Sequence, residues 1–424
     1  MRTIKTYILL AMVVGFVSCS SDEPKMTEGE KIPAEELTPS GNEFVAFELT
    51  DVESRAAQET ATFDVEFFKA VCVAEADESV VAVSPLSARI LMAMVANAAN
   101  EEAAAEIVGA LGCSDLKALN TLSGKYLNAL GSVDPTATIQ MANGVWYHEA
   151  YTLADVFKSA IEGDFGSETH AVDLYTESTR NLINGWVAEK TCDKIQSILD
   201  NVLSEPTVTV LANALYFKGE WSNPFDECET TDDVFNGVMG KSIVKMMYNK
   251  EYQHYRETAT YSAVRMDMGK DGKLTATFVL PKEGVDLNEF VANLDFSEME
   301  GEYSFMDETI EFSLPKFKVV PAKEYNLNHS LSLLGITKIQ DILPSPMFTA
   351  NKSAKFDVFQ KATVEVAEQG AEGAAVTWSY MCTSPGPEYV PEIPKVVFDR
   401  PFLMYISHPE TKAILLAARV GAIQ

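Results

Sequence analysis

The chain has 424 residues, 47% of them apolar, and carries 62 acidic against 33 basic side chains for a formal net charge of −29. That apolar fraction sustains an extensive core in one large domain. A phosphate backbone repels so acidic a surface, which sets nucleic-acid binding aside; otherwise the charge reads as ordinary solubility.

Residues 1–18 read as a signal peptide. Arg2 and Lys5 supply the positive end, Tyr7 to Val17 an apolar run too short to span a bilayer comfortably, and Ser18 a small residue before Cys19. A small residue followed directly by Cys resembles a bacterial lipoprotein signal. By that resemblance Cys19 is lipidated and anchors an exported protein to the membrane of the bacterial envelope, with the cell surface as one location. Phe16 stands where that pattern favours Leu, and the plain alternative is secretion with an unmodified Cys19. Residues 19–55 are polar, acidic and punctuated by Pro, as in a flexible tether. The domain is expected over 56–424.

In chain order, Phe63, Phe67, Val71 and Ala74 recur at helical spacing and predict a helix over Thr62 to Ala74. Ser84 and Pro85 read as N-cap and first residue of a second helix, whose body LSARILMAMVANAA is apolar nearly all round and therefore buried. Thr138 to Tyr147 reads as a strand, Thr152 to Ile161 as a helix, and Val208 to Phe217 as a long apolar strand ending at Lys218-Gly219. Further strands are expected at Thr275 to Leu280, Thr309 to Lys318, Thr363 to Ala367, Val396 to Phe398, Leu403 to Ser407 and Ala413 to Val420. Helices dominate the first half and strands the second, the order of an α+β fold with segregated elements.

The motifs of catalysis are missing. The five His, at 148, 170, 254, 329 and 408, form no HExxH and no pair at helical ligand spacing, and neither a nucleotide-binding glycine loop nor a GxSxG elbow occurs. SxxK occurs at Ser114/Lys117, Ser242/Lys245 and Ser313/Lys316 without its companions SDN and KTG, and on a strand the last pair cannot share a helical face. Cys19, Cys72, Cys113, Cys192, Cys228 and Cys382 include no CxxC pair and do not cluster with His. They read as mostly buried free thiols, with neither a zinc site nor a disulfide framework, so no cofactor and no enzyme activity are expected.

Five segments, in order, carry a family resemblance: SPLS at 84–87, TVLANALYFKGEW at 209–221, IEFSLPKFK at 310–318 with Tyr325, Leu327 and LGI at 334–336, FQKATVEVAEQGAEGAAVT at 359–377, and FDRPFLM at 398–404. Together they resemble the serpins across roughly 60–424. The resemblance implies three β-sheets, about nine helices and an exposed reactive centre loop. It also implies a suicide-substrate mechanism in which a protease cleaves the loop, becomes acylated and is carried off as the loop inserts into the central sheet. The partner would be a target protease in covalent complex with a monomeric inhibitor.

By that resemblance the hinge comprises Glu368, Gln369, Gly370, Ala371, Glu372, Gly373, Ala374, Ala375, Val376 and Thr377, with Gly370 as pivot. A loop that enters mid-sheet turns every second residue inward. Starting at Ala371, the inward series Ala371, Gly373, Ala375, Thr377, Ser379, Met381 and Thr383 holds no charge and one large side chain. The opposite series, Glu372, Ala374, Val376, Trp378, Tyr380 and Cys382, holds the bulk and the charge. No Pro occurs from Ala371 to Ser384, whereas Pro385, Pro387, Pro391 and Pro394 follow, so insertion stops near Ser384. Ala371 stands where Thr or Ser is usual in the family, and Gly373 where Ala is usual. The family spacing counts the cleaved bond to Ser384, before Pro385, which few proteases accept. The scissile region is therefore taken as Tyr380, Met381, Cys382, Thr383 and Ser384. No Arg or Lys lies between Gly370 and Ser384, which favours an elastase-like or broad-specificity target among serine, or alternatively cysteine, proteases over a trypsin-like one.

Ser84, Ser87, Asn213 and Gln360 align with the place where the family's central sheet parts, as a polar latch, with Gln360 replacing the His common in animal members. Trp221 aligns with the tryptophan beneath the loop's point of insertion. The competing expectation is a non-inhibitory serpin that serves as a surface binding or structural protein.

Overall fold

The computed structural model describes residues 47–205, 207–270, 272–295, 305–321, 323–341, 343–350, 352–371 and 393–423. The chain divides into Met1–Thr38 and Pro39–Gln424. The segment 1–18 expected to be a signal peptide, Cys19, the expected hinge beyond Ala371 and the expected scissile region all lie outside the described residues.

Among the described residues there are eight α-helices: α1 (Asp51–Ala74), α2 (Pro85–Ala98), α3 (Glu101–Ala110), α4 (Leu116–Ala129), α5 (Asp155–Gly163), α6 (Glu177–Lys190), α7 (Leu287–Asn293) and α8 (Asn328–Leu333). The α1 helix starts eleven residues before the expected Thr62 and takes in Asp51–Arg55, which the composition assigns to the tether. The apolar period is faint there because the buried face of the first turns is made of the small residues Ala56, Ala57 and Ala61. A capping box fixes its start: Thr50 Oγ1 accepts from Glu53 N at 3.3 Å, and the Glu53 carboxylate accepts from Thr50 N at 2.7 Å. Ser84 caps α2 as expected, accepting from Ser87 N at 3.2 Å, and every α2 residue except Asn97 is buried. The α5 helix begins at Asp155, not Thr152, because Leu153 bridges to Phe348 and Ala154 N donates to Met347 O at 2.8 Å, which hold the chain extended.

The strands are β1 (Val80–Val83), β2 (Ala137–His148), β3 (Glu168–Val172), β4 (Thr209–Glu220), β5 (Thr231–Gly237), β6 (Gly240–Glu257), β7 (Tyr261–Met268), β8 (Leu274–Pro281), β9 (Met306–Pro315), β10 (Phe317–Val319), β11 (Tyr325–Asn326), β12 (Leu343–Ser345), β13 (Lys352–Ala354), β14 (Phe359–Gln360), β15 (Val364–Ala367), β16 (Gly370–Ala371), β17 (Lys395–Val397), β18 (Phe402–His408) and β19 (Ala413–Val420). One sheet runs β10-β15-β16-β4-β2-β3. A nine-stranded array runs β1-β19-β18-β8-β7-β6-β9-β17, with β5 also on β6. Long β6 pairs with β9 along 246–255 and with β7 only along 254–257, so the array is two sheets sharing one strand. With the six-stranded sheet this makes the expected three, beside the two-stranded ladders β11–β14 and β12–β13.

The main core lies between the sheets and α1 and α2. On the other face of the six-stranded sheet, α6 covers a smaller cluster that includes Trp146, Ile183, Trp186, Ala212 and Ala214. Of the described cysteines, all free, Cys72 and Cys113 are buried, Cys192 is half-buried and Cys228 exposed, so the expectation of mostly buried thiols holds for two of four.

Candidate functional site

The segment after β15 turns at Glu368–Gln369 and returns as β16, pairing Val366 with Ala371 and Ala367 with Gly370. On its other side β16 pairs with the end of β4, Gly370 opposite Glu220 and Ala371 opposite Gly219. Three backbones crowd together at this point. A Cβ on Gly370 would stand 2.1 Å from Gly219 O, so only glycine lets the strands approach. Ala371 is 2% exposed and belongs to the main core. Gly370, the expected pivot, and Ala371, the first residue of the inward series, are sheet residues here, where small side chains leave room for the pairing.

This turn is fastened from three sides. Trp221 N donates to Gln369 O and Trp221 Nε1 to Ala367 O, both at 2.9 Å, and Phe225 N donates to Glu368 O at 2.9 Å. Trp221 itself is 3% exposed. Glu368 is buried; its carboxylate accepts from Lys316 Nζ at 2.7 Å and from Thr230 Oγ1 at 3.0 Å. Burial pushes this carboxyl up, but the Lys316 and Thr230 bonds outweigh it and hold it below the usual range. Sequence reasoning missed Lys316, Thr230 and Phe225 as partners. The position of Lys316 in IEFSLPKFK was visible, but its contact with Glu368, 52 residues on, was not.

Below this fastening the sheet is open. β4 pairs with β2 from Thr209 to Gly219, but on its other edge only with the two residues of β16. Among the described residues no ladder joins β4 to β15. A groove of about 430 Å³ occupies the interval, lined by Ser84, Ser87 and Leu91 of α2, Asn213 and Phe217 of β4, and Gln360 of β14. The two faces of β4 are distinct. Phe217, Leu215 and Leu211 join the main core, while Ala214, Ala212 and Val210 join the cluster under α6.

The expected latch is partly assembled. The Gln360 side chain grips the Ser84 backbone twice: its Oε1 accepts from Ser84 N at 3.0 Å and its Nε2 donates to Ser84 O at 2.8 Å. Ser84 Oγ donates to Ser87 Oγ at 2.9 Å. Asn213 does not join this trio. It bonds across the ladder, donating from Nδ2 to Asn143 Oδ1 at 2.7 Å, and Asn143 in turn donates to Phe165 O at 2.9 Å. Asn213 Oδ1 is buried with no hydrogen-bond partner among the described residues. Asn143 was not foreseen; only the cross-strand register reveals it.

The family model described as "Serpin (serine protease inhibitor)" matches residues 58–422. The chain belongs to the serpin family. The "Serine protease inhibitor" of Cyanea capillata is 28% identical over 373 residues, covering 84% of this serpin and 96% of that protein. Iripin-8 of Ixodes ricinus is 30% identical over 295 residues, covering 68% and 73%. Among solved structures, the thermophilic serpin Tengpin in its native state superposes with a TM-score of 0.77 at 24% identity, covering 89% of this serpin and 95% of Tengpin, which supports the fold.

Proposed function

We propose that this serpin is a suicide-substrate inhibitor of serine proteases, working by insertion of its reactive loop into the groove between β4 and β15. The observation that carries the reading is the unpaired edge of β4 with Gly370 and Ala371 docked at its top. Extended in the register of β16, the loop would set Gly373 beside Phe217, Ala375 beside Leu215, Thr377 beside Asn213 and Met381 beside Thr209, where β4 ends. The inward series then meets the core face, and the charged and bulky series meets the face under α6. Thr377 would bring a hydroxyl donor to the orphaned Asn213 Oδ1, compensating a buried acceptor.

In the reaction, the serine oxygen of the protease attacks the carbonyl of a bond within Tyr380–Ser384. The C–N bond breaks, the leaving nitrogen takes the proton that the serine hydroxyl gives up, and an ester joins the enzyme to the loop. New ladder bonds and burial of the inward side chains then draw the ester across the sheet. The absence of Lys and Arg from Gly370 to Ser384 points to an elastase-like or broad-specificity target. We further infer export by the signal peptide at 1–18, a lipid anchor at Cys19 in the bacterial envelope, a tether ahead of the folded domain, and a monomeric inhibitor.

Incubation with a panel of serine and cysteine proteases tests the reading. The expected result is a complex that resists SDS, with release of a peptide whose mass places the cut within Tyr380–Ser384. Cleavage without a stable complex would instead establish the non-inhibitory alternative, and a cut only after Lys395 would remove the assigned loop.

A further inference from the structure

His254 sits where β6 passes from one neighbour to another. In the ladder it lies opposite Asp307 of β9 on one side and Arg265 of β7 on the other. Its two ring nitrogens face two different strands: Nδ1 is 2.5 Å from Asp307 Oδ1 and Nε2 is 3.5 Å from Asp267 Oδ2. The two carboxylates therefore stand on opposite edges of the imidazole, where one metal ion cannot take all three groups. A neutral imidazole carries one N–H and can serve one of them; only the imidazolium donates to both. Of the other charges on these strands, Arg265 lies with its guanidinium over the Phe305 ring at 4.1 Å, Arg256 donates from Nε to the Tyr261 hydroxyl at 2.9 Å, and Glu308 follows Asp307 on β9. The facing loop 222–225 reads Ser-Asn-Pro-Phe and brings no charge before Asp226.

We propose that His254 is a proton-operated clamp that ties β9 and β7 to β6 directly behind the strand end that holds the hinge. The link to the hinge is short. Asp267 O accepts from Ser222 N at 3.0 Å, Ser222 Oγ donates to Gly269 O at 2.6 Å, and the preceding Trp221 carries the turn at Gln369. A polar cavity of about 210 Å³, lined by Asn223, Gln253 and Met266 with the His254 trio, gives protons access to the ring. The buried Gln253 Nε2 beside it has no hydrogen-bond partner, which suits a cavity that holds water. Hydrogen bonding to Asp267 first, and then the charges of Asp267 and Asp307, raise the His254 pKa against the opposing effect of burial. A histidine raised in the folded state stabilises fully below its unfolded value of about 6.5, and the contribution is lost as pH rises through the higher folded value.

The test uses the whole chain. The ring C–H resonance of His254, assigned by its loss in His254→Gln, should titrate above the free-imidazole value. It should move down toward that value in Asp307→Asn and in Asp267→Asn. The wild type should unfold at a higher temperature than His254→Gln at pH 5.5, with the lead vanishing by pH 9. A resonance titrating at or below the free value, or a lead unchanged across that range, would overturn the clamp. The two asparagine variants keep the test decisive if the glutamine variant does not fold.

Discussion

Glu368 holds one buried charge at the turn between β15 and β16, and its carboxylate is matched by Lys316 at 2.7 Å and Thr230 at 3.0 Å. Because Lys316 is 40% exposed, water screens part of the attraction, and the pair belongs at the lower end for charge-assisted bonds, about 1.5 kcal/mol. Glu368→Gln should lower stability by about that amount in chemical denaturation, with most of the loss absent when Lys316→Met is already in place. The folded carboxyl lies below its usual value. The stabilisation is therefore present above the unfolded pKa of about 4.3 and lost as pH falls through the lower folded one. At this scale the sequence was only partly readable. Glu368 and Trp221 were found because they sit inside recognisable segments. Their partners lie far along the chain, and only the fold shows them.

Among the elements, the six-stranded sheet decides what the loop does. Leu215 stands on the core face of β4, so a charge placed beside it in an inserted strand would be buried without a partner. Ala375→Glu should therefore leave loop cleavage at its normal rate while the SDS-resistant complex gives way to turnover of the inhibitor as substrate. Ala374→Glu, on the opposite series, should do so far less; gel partition of complex and cleaved product measures both. Long apolar segments such as α2 and β4 were legible because a nearly unbroken run of apolar residues leaves a composition signal. The early turns of α1 were not, since alanine satisfies a buried face without an apolar period. The two-residue strand β16 was also invisible: nothing in EQGA announces a strand, and its pairing is set by Gly219 and Gly370 meeting at close range.

For the whole molecule, acid acts in two directions. His408 is buried, 1% exposed, with Nδ1 3.1 Å from Thr411 Oγ1 and Phe47 packed on its ring. Burial pushes its pKa down to about 4. A histidine lowered on folding leaves the unfolded chain holding more protons, so stability falls as pH drops from about 6.5 to about 4, by roughly 3 kcal/mol at most. Denaturant titrations at pH 7 and pH 4.5 should show this loss in the wild type and a smaller one in His408→Gln. The His254 contribution runs the other way, so a single pH profile of the wild type is a difference between the half-exposed His254 and the buried His408 and must be separated by variants. The docked turn at Glu368–Ala371 has a temporal consequence as well. In the proposed mechanism, water and the sheet would compete for the same ester after cleavage. Starting a strand is the slow part of laying one down, because chain entropy is lost before the pairings that repay it are made. Here the start is already in place, and about 34 Å of edge, at 3.4 Å per residue from Lys218 to Thr209, remains to be zipped. Under the proposed mechanism the contest would be decided by a head start built before any protease arrives, and loosening Gly370 would forfeit it without touching the cleaved bond.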